Sequence, residues 1–297
     1  MLSFLVLTTG DLPEAYFLGS FLESSAASFA LVNIVGRPVG NQLQVLARLR
    51  RNRGAAYVAD FLLARAWDRV EMWIRRKELQ RAVRAFPEVD ARRMREIRAR
   101  HPHLDCSDPH APHVLDFVRS HAPDYILLAG APLLRPSFYG LARTAALNRH
   151  LGLLPGFRGS DCALWALAQN RPEQVGYSIH VVNERVDGGD VVLRRPLPIH
   201  GDASLQDYLR RLRREASAAY VDVIGRLLRG ATLRPLPQTH RGTYFPPSGW
   251  TTQRRAVRNF ARLARGQSPP LGVLDDGEQA PALPRWSGAS PSGQASA

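Results

Sequence analysis

Residues 146–161 of the chain read ALNRHLGLLPGFRGSD and carry the pattern that decides the fold. Residues 145–147 are the apolar end of a predicted buried strand, and Asn148 and His150 follow directly on it. Because side chains alternate along a strand, Asn148 and His150 lie on one face and Arg149 on the other. An amide and an imidazole on the same face of a strand end are either a satisfied loop pair or the beginning of a functional site.

Composition indicates a globular, cytoplasmic protein. The chain has 297 residues, of which 45% are hydrophobic and 22% are charged. No apolar run approaches the roughly 18–20 residues of a membrane helix, and the opening residues lack the basic region of a secretory signal. Cys106 and Cys162 are the only cysteines, so no disulfide framework is expected. We therefore expect a cytoplasmic location and no membrane partner.

The formal charge of +14 raises the question of an anionic partner. Nearly all of the positive charge is arginine, since Lys77 is the only lysine, and the arginine clusters at 48–53 and 210–214 fall in helical patterns. Solvated helix faces explain such clusters, although an anionic partner or substrate is the alternative. We do not expect a nucleic-acid partner.

Apolar runs and helical patterns alternate over residues 2–170, which predicts an α/β fold with an open, mostly parallel, Rossmann-like sheet. Ligands of such sheets bind beyond the carboxyl ends of the strands. Residues 175–182 and 190–195 read as two strands joined by a Gly-Gly turn and predict a small antiparallel extension. The predicted strands of the main sheet are 2–8, 29–35, 125–129 and the strand into Asn148. The predicted helices are 12–23, 41–100 with a break at Pro87, 109–120 with Ser107 or Asp108 as its cap, and 161–170. A last predicted helix begins at the capping box formed by Ser204 and Asp207 and ends at Gly230.

A second stretch, GYSIHVVNERVDGGDVV at residues 176–192, adds an imidazole and a carboxylate. It contains His180 and then Asp187, which stands directly before two glycines where the backbone can approach a ligand closely. Asn148, His150 and Asp187 together would supply an amide donor, an acid or base, and a carboxylate that orients the imidazole. That set suits chemistry in which an oxyanion is stabilised and a proton is transferred.

The two stretches together resemble the folate-dependent formyltransferase superfamily, which includes glycinamide ribonucleotide transformylase, methionyl-tRNA formyltransferase and the sugar N-formyltransferases. The family pattern is Asn-x-His-x-(Ser/Gly)-Leu-x-Pro, then a glycine after an often basic residue, and later a His followed by an Asp and a Gly pair. The matching residues here are Asn148-Arg149-His150-Leu151-Gly152-Leu153-Leu154-Pro155, Arg158-Gly159, His180 and Asp187-Gly188-Gly189. The resemblance covers residues 2–230, which we expect to be the formyltransferase catalytic domain, followed by a C-terminal appendage at 231–265 and a disordered tail at 266–297.

The resemblance implies a formyl transfer from 10-formyltetrahydrofolate to a primary amine, with no metal. Asn148 and protonated His150 would stabilise the oxyanion, and Asp187 would favour the charged imidazole and help to pass the proton. The pterin would lie between the segment after the central strand and the loop that ends at Asp187. The implied folate contacts are Ala131, Leu133, Leu134, His180, Val182, Asn183, Glu184, Arg185, Val186 and Gly188.

Departures from the family pattern favour a small amine, such as an amino sugar, a sugar nucleotide or a natural-product intermediate. The loop Thr8-Thr9-Gly10-Asp11 replaces the phosphate loop of the glycinamide ribonucleotide enzyme, and Asp11 would repel phosphate. The residues after Gly230 are too few for the barrel domain of the transfer-RNA enzyme. The predicted acceptor contacts are Thr9, Gly10, Arg158, Ser160 and Trp165. Formylation of an aminoacyl-tRNA or a carrier-bound amino acid, and a non-catalytic basic binding protein, are the alternatives; a homodimer is possible.

The histidine-rich stretch, Cys162 and Trp165 each have a structural interpretation beside a functional one. Residues 101–113 gather four histidines and Cys106, but their spacing matches no zinc pattern and we expect no metal there. Cys162 is either a thiol whose pKa a helix N-terminus lowers or a small packed residue near the cleft. Trp165 is either a core residue or a wall of the acceptor pocket.

Overall fold

A computed structural model describes residues 2–10, 12–35, 39–74, 86, 89–199 and 204–266, and it has an α/β architecture. The strands, in chain order, are β1 Ser3–Thr9, β2 Ser28–Ile34, β3 His103–Cys106, β4 Tyr125–Ala129, β5 Ala145–His150, β6 Phe157–Gly159, β7 Gly176–Val181, β8 Val191–Pro196 and β9 Thr243–Phe245. The helices are α1 Pro13–Ser24, α2 Val39–Arg53, α3 Ala55–Ile74, α4 Ala91–Arg100, α5 Pro112–His121, α6 Pro136–Tyr139, α7 Cys162–Ala168, α8 Leu205–Leu228 and α9 Trp250–Ala264, with a 3-10 turn at Pro172–Gln174.

Within these ranges, seven strands form one sheet in the order β3-β2-β1-β4-β5-β7-β8. The five strands from β3 to β5 are parallel, whereas β7 pairs antiparallel with both β5 and β8. The predicted open, mostly parallel sheet with an antiparallel extension is therefore confirmed. The pairing changes from parallel to antiparallel at β5. The polar groups of β5 therefore lie where the regular crossover pattern of the sheet ends, which is where such sheets bind ligands.

Helices cover both faces of the sheet, which explains why the central strand β4 is apolar at every position. On one face, Phe4 and Leu127 pack with the long helix α8, whose Tyr220 donates a hydrogen bond to the Leu147 carbonyl oxygen at 2.7 Å. On the other face, residues that include Leu128 pack against Val114 of α5. Alternation along β5 places Asn148 and His150 on this second face and Arg149 on the first.

The predictions for residues 41–120 were wrong in detail. Gly54, with a φ of 85°, separates α2 from α3, because a left-handed glycine ends a helix without steric cost. The predicted break at Pro87 lies outside the described residues. The later helix begins at Pro112 and not at residue 109, since the Asp108 carboxylate accepts from the His110 N–H at 2.9 Å and closes a turn before it. The edge strand β3 was not predicted; it has only four residues, and two of them are exposed.

The C-terminal appendage packs on the main domain. β9 pairs in parallel with the short strand β6, and α9 packs against α7 and α3. Asp60 of α3 caps the N-terminus of α9, since its carboxylate accepts from Thr251 N at 3.0 Å and Thr251 Oγ1 at 2.7 Å. Residues 267–297 of the predicted tail lie outside the described residues, and the domain division remains a prediction. In the described part of the chain, no helix is long and apolar enough to cross a membrane.

Candidate functional site

The structure brings the three predicted catalytic residues together at the end of β5. Asn148 Nδ2 lies 3.4 Å from one carboxylate oxygen of Asp187, and His150 Nδ1 lies 3.6 Å from the other. Asn148 and His150 project from alternate positions of β5, and Asp187 reaches them from the loop between β7 and β8. An amide donor, an imidazole and a carboxylate therefore share one small volume.

His180 belongs to the same cluster, although the sequence had indicated a folate contact. Its ring is 2% exposed, and its Nε2 lies 3.1 Å from Asn148 Nδ2 and 3.3 Å from the Asp187 carboxylate. Because His180 Nδ1 lies 2.9 Å from the Val181 carbonyl oxygen, which can only accept, Nδ1 carries a proton. The cross-strand pairing of Asn148 with His180 in β5 and β7 produces this contact.

Asp187 is anionic at neutral pH. Burial by itself would raise its pKa, but the neighbouring His150 and His180 and the Gly159 N–H, which donates to it at 2.8 Å, together hold the pKa of the carboxyl below its usual range. Each of the two carboxylate oxygens thus faces a nitrogen donor. The residue also has a left-handed backbone, with a φ of 49°.

His150 is neutral in the resting site. Burial lowers its pKa and outweighs the opposing attraction of Asp187, which by itself favours the charged imidazole. His150 Nε2 lies 2.8 Å from the Phe157 carbonyl oxygen, which can only accept, so Nε2 carries the proton. The unprotonated Nδ1 then faces Asp187 and is the atom that can receive a proton.

Gly152 leaves room for the His150 ring. A methyl group at this position would lie 2.6 Å from His150 Nε2 and 2.8 Å from Cys162 Cβ. Cys162 Sγ is itself 3.5 Å from His150 Nε2, and burial raises the pKa of this thiol far above its usual value. Cys162 is therefore a neutral packed residue, and the interpretation as a thiol activated by a helix N-terminus is wrong.

Two of the predicted acceptor contacts, Arg158 and Trp165, bond to backbone carbonyl oxygens of the protein, and the other three are partly or fully exposed. Arg158 is buried and donates to the Val186 and Arg241 carbonyl oxygens at 2.8 and 2.6 Å, so it holds backbone segments together. Trp165 Nε1 donates to the Pro246 carbonyl oxygen at 2.8 Å, which leaves its ring as a partly exposed wall. Ser160, on the β6–α7 connection, and Thr9 and Gly10, at the end of β1, are partly or fully exposed. Asp11 lies outside the described residues.

The predicted folate contacts form a partly exposed apolar border. Ala131, Leu134 and Val182 are partly buried at the rim of the hydrophobic cluster that contains Leu128 and Val114. Leu133, beside them, is 59% exposed. The other predicted contacts of the loop share a position between β7 and β8: Asn183, Glu184 and Arg185 are exposed, Val186 is half-buried and Gly188 is buried. An apolar wall beside a loop with exposed polar groups fits a flat heterocycle that carries hydrogen-bonding edges.

The histidine-rich stretch serves packing in part. The ring of His101 stacks on Phe29 with centroids 3.9 Å apart, and its Nε2 lies 3.3 Å from the Glu23 carboxylate. The ring of His110 packs edge-on against Phe138. Among the described residues, no three His, Cys, Asp or Glu side chains are grouped so that they could hold a metal ion.

Comparison with known proteins gives a consistent set of relatives. A family model described as "Formyl transferase" matches residues 76–224, which is half of the chain. Methionyl-tRNA formyltransferase from Chlorobium chlorochromatii is 29% identical over 126 residues, covering 42% of this chain and 40% of that protein. Phosphoribosylglycinamide formyltransferase from Escherichia coli is 34% identical over 108 residues, covering 36% of this chain and 50% of that protein. The chain thus spans half or less of the length of these two relatives.

Solved structures share the fold. A sugar N-formyltransferase from a Shewanella species superposes with a TM-score of 0.52 at 11% identity, covering 88% of both chains. Glycinamide ribonucleotide transformylase 1 from Symbiobacterium toebii superposes with a TM-score of 0.51 at 18% identity, covering 80% of this chain and 94% of that one.

Proposed function

Since the chain belongs to the formyl transferase family, we propose that it transfers a formyl group from 10-formyltetrahydrofolate to a primary amine of a small molecule. The observation that carries the proposal is that Asn148 and His150 both lie within 3.6 Å of the Asp187 carboxylate at the end of β5. The apolar border of Ala131, Leu134 and Val182 fits the pterin of the donor.

Each polar group of the site has a role in this reaction. The bound donor supplies the formyl carbon that the neutral amine attacks. Asn148 donates its N–H to the formyl oxygen as that oxygen gains negative charge. His150 takes the proton that the amine loses, at Nδ1, and Asp187 stabilises the resulting imidazolium. The proton then passes from His150 to the departing nitrogen, so the C–N bond to the acceptor forms and the C–N bond to the donor breaks with no net change in the site.

A small acceptor is supported by the loop after β1. β1 ends at Thr9, and Gly10 follows it without the pattern of a phosphate loop. Gly10 is exposed and Ser160 is partly exposed, which suits contact with an uncharged part of the acceptor. We infer an amino sugar, a sugar nucleotide or a natural-product intermediate.

A second candidate is an amine presented by an acidic carrier or an aminoacyl-tRNA. Exposed arginines on α2 favour it: Arg48, Arg50, Arg51 and Arg53. Contacts with such a polyanion weaken steeply as salt is added. Turnover of a free small amine would change little under the same conditions, so a salt series separates the two acceptors.

The decisive experiment is a panel of amines incubated with 10-formyltetrahydrofolate, with product mass as the readout. We expect a mass gain of one formyl group on a free primary amine, and a loss of about 100-fold or more in turnover for Asp187→Asn. The substitution is severe because both oxygens of Asp187 face donors, so either orientation of the amide places its NH2 against one. Near-full activity of Asp187→Asn, or formylation of glycinamide ribonucleotide in preference to every other amine, would contradict the proposal.

A further inference from the structure

The backbone around Asp187 is held in place from outside the loop. Asp187 has a left-handed φ of 49°, a region that a residue with a side chain adopts only at a steric cost. Gly189, two residues on, lies so close to β7 that a Cβ would be 1.9 Å from the Val181 carbonyl oxygen. A strained and tightly packed loop of this kind persists only where its surroundings fix it.

Gln238 supplies two of the bonds that fix it. Its Nε2 donates to the carbonyl oxygens of Asp187 and Gly189, both at 2.8 Å. Two carbonyl oxygens are acceptors, so the NH2 group, with its two hydrogens, is the end of the carboxamide that satisfies both. One side chain therefore pins the chain on each side of Gly188.

Two features of the appendage deliver Gln238 to the loop. Leu236 forms a two-bond antiparallel bridge with Val191 of β8, with N···O distances of 2.8 and 2.9 Å, and Gln238 follows two residues later. Arg158 then joins the same two segments, because its guanidinium donates both to Val186 and to Arg241. The carbonyl oxygens of Val186, Asp187 and Gly189 thus all accept hydrogen bonds from side chains, the first from Arg158 and the other two from Gln238.

We propose that Gln238 is a positioning residue that holds the Asp187 carboxylate against His150. The proposal rests on the proposed function, since it gives Asp187 its task there. It assigns to residues 231–243, which lie beyond the family match at 76–224, a part in the formyl-transfer site. Without the two bonds, the backbone at Asp187 can relax from its left-handed conformation and withdraw the carboxylate.

The test uses Gln238→Met, which keeps the length of the side chain and removes both donors. The matched control is Gln169→Met, at an exposed glutamine. We expect Gln238→Met to lower kcat by about 10- to 100-fold, as for a small displacement of a catalytic group, with the KM for the folate changed far less and the control unchanged. In an Asp187→Asn background the same substitution should have no further effect on kcat. Independent, additive losses in the double variant would overturn the proposal, as would a folded Gln238→Met with full activity.

A second readout does not depend on turnover. Nitrogen-15 NMR of labelled histidines follows the titration of His150, whose pKa the Asp187 carboxylate raises against the effect of burial. Gln238→Met should lower the pKa of His150 further and should increase hydrogen exchange at the amides of residues 187–189. If no amine is formylated but the titration moves, the proposed function fails and the positioning role stands. If His150 titrates as in the wild type, the positioning role fails.

Discussion

Adding one methyl group beside His150 tests how tightly the site is built. Gly152 does not have a left-handed backbone, so Gly152→Ala introduces a Cβ without backbone strain. That Cβ would lie 2.6 Å from His150 Nε2, 2.8 Å from Cys162 Cβ and 2.9 Å from the Phe157 carbonyl oxygen. The last two atoms belong to a helix start and to a strand, so the imidazole is the group that can yield.

The size of the effect follows from these distances. Ordinary contact begins at about 3.4 Å, so His150 Nε2 must retreat by about 0.8 Å. The retreat breaks its 2.8 Å hydrogen bond to Phe157, a loss of about 1 kcal/mol. A displacement of about 1 Å in a catalytic group typically lowers turnover about 100-fold. We expect that loss in kcat, together with a decrease of about 1–3 kcal/mol in the free energy of unfolding from overpacking.

The assay is steady-state formyl transfer to an accepted amine, with urea unfolding for stability. Gly156→Ala is the matched control, because the atoms nearest to its added Cβ lie at 3.5 Å, an ordinary contact. We expect the control to keep both its turnover and its stability. Gly152→Ala with wild-type kcat would show that the position of His150 is not critical, and the reasoning from the His150 geometry would fail.

Three further outcomes are expected elsewhere in the molecule. Glu14→Gln should destabilise the protein by about 3–5 kcal/mol in urea unfolding, which is more than the effect expected for Arg149→Met. The reason is that the buried Arg149, whose Nη2 lies 3.9 Å from Glu14, cannot lose its charge when Glu14 is replaced. Equal effects of the two substitutions would contradict this. Asp60→Ala should cost about 1 kcal/mol of stability through the lost cap on α9, with folate affinity unchanged, whereas an unchanged thermal midpoint would show that the cap does not contribute. The pKa of His150 is lower in the folded protein than its unfolded value of about 6.5, so the unfolded chain binds the proton first as the pH falls. The free energy of unfolding should therefore decrease as the pH drops below that value, and His150→Gln should make this decrease less steep. An equal slope in the variant would mean that other groups cause it.

The central sheet could be predicted because its signal is local. Tyr125–Ala129 is apolar at every position, and the structure gives the strand the predicted bounds. The polar pair Asn148 and His150 breaks such a run at its carboxyl end, which is where an α/β sheet binds ligands. Together with the resemblance to a known family, these residues were enough to predict the three members of the candidate site.

The contacts that support the site could not be predicted, because they join segments far apart in sequence. The pairing of Asn148 with His180 depends on β7 lying antiparallel to β5, and periodicity does not specify strand order. Gln238 lies 51 residues from Asp187, in an irregular segment with no periodic pattern. The neutral state of His150 could not be read from the sequence either, since it results from the degree of burial, which appears only in the folded chain.

A charged carboxylate beside a neutral imidazole in one buried cluster has a chemical consequence. At rest, the site holds one negative charge on Asp187, which the N–H groups of Gly159 and Asn148 face, and a neutral His150. A proton that His150 receives at Nδ1 converts this single charge into an adjacent pair of opposite charges. In an environment of low dielectric constant that pair is more favourable than two separated ions, so the site favours the step in which the amine loses its proton. Burial thus keeps the imidazole available as a base, and the carboxylate stabilises it once it has acted.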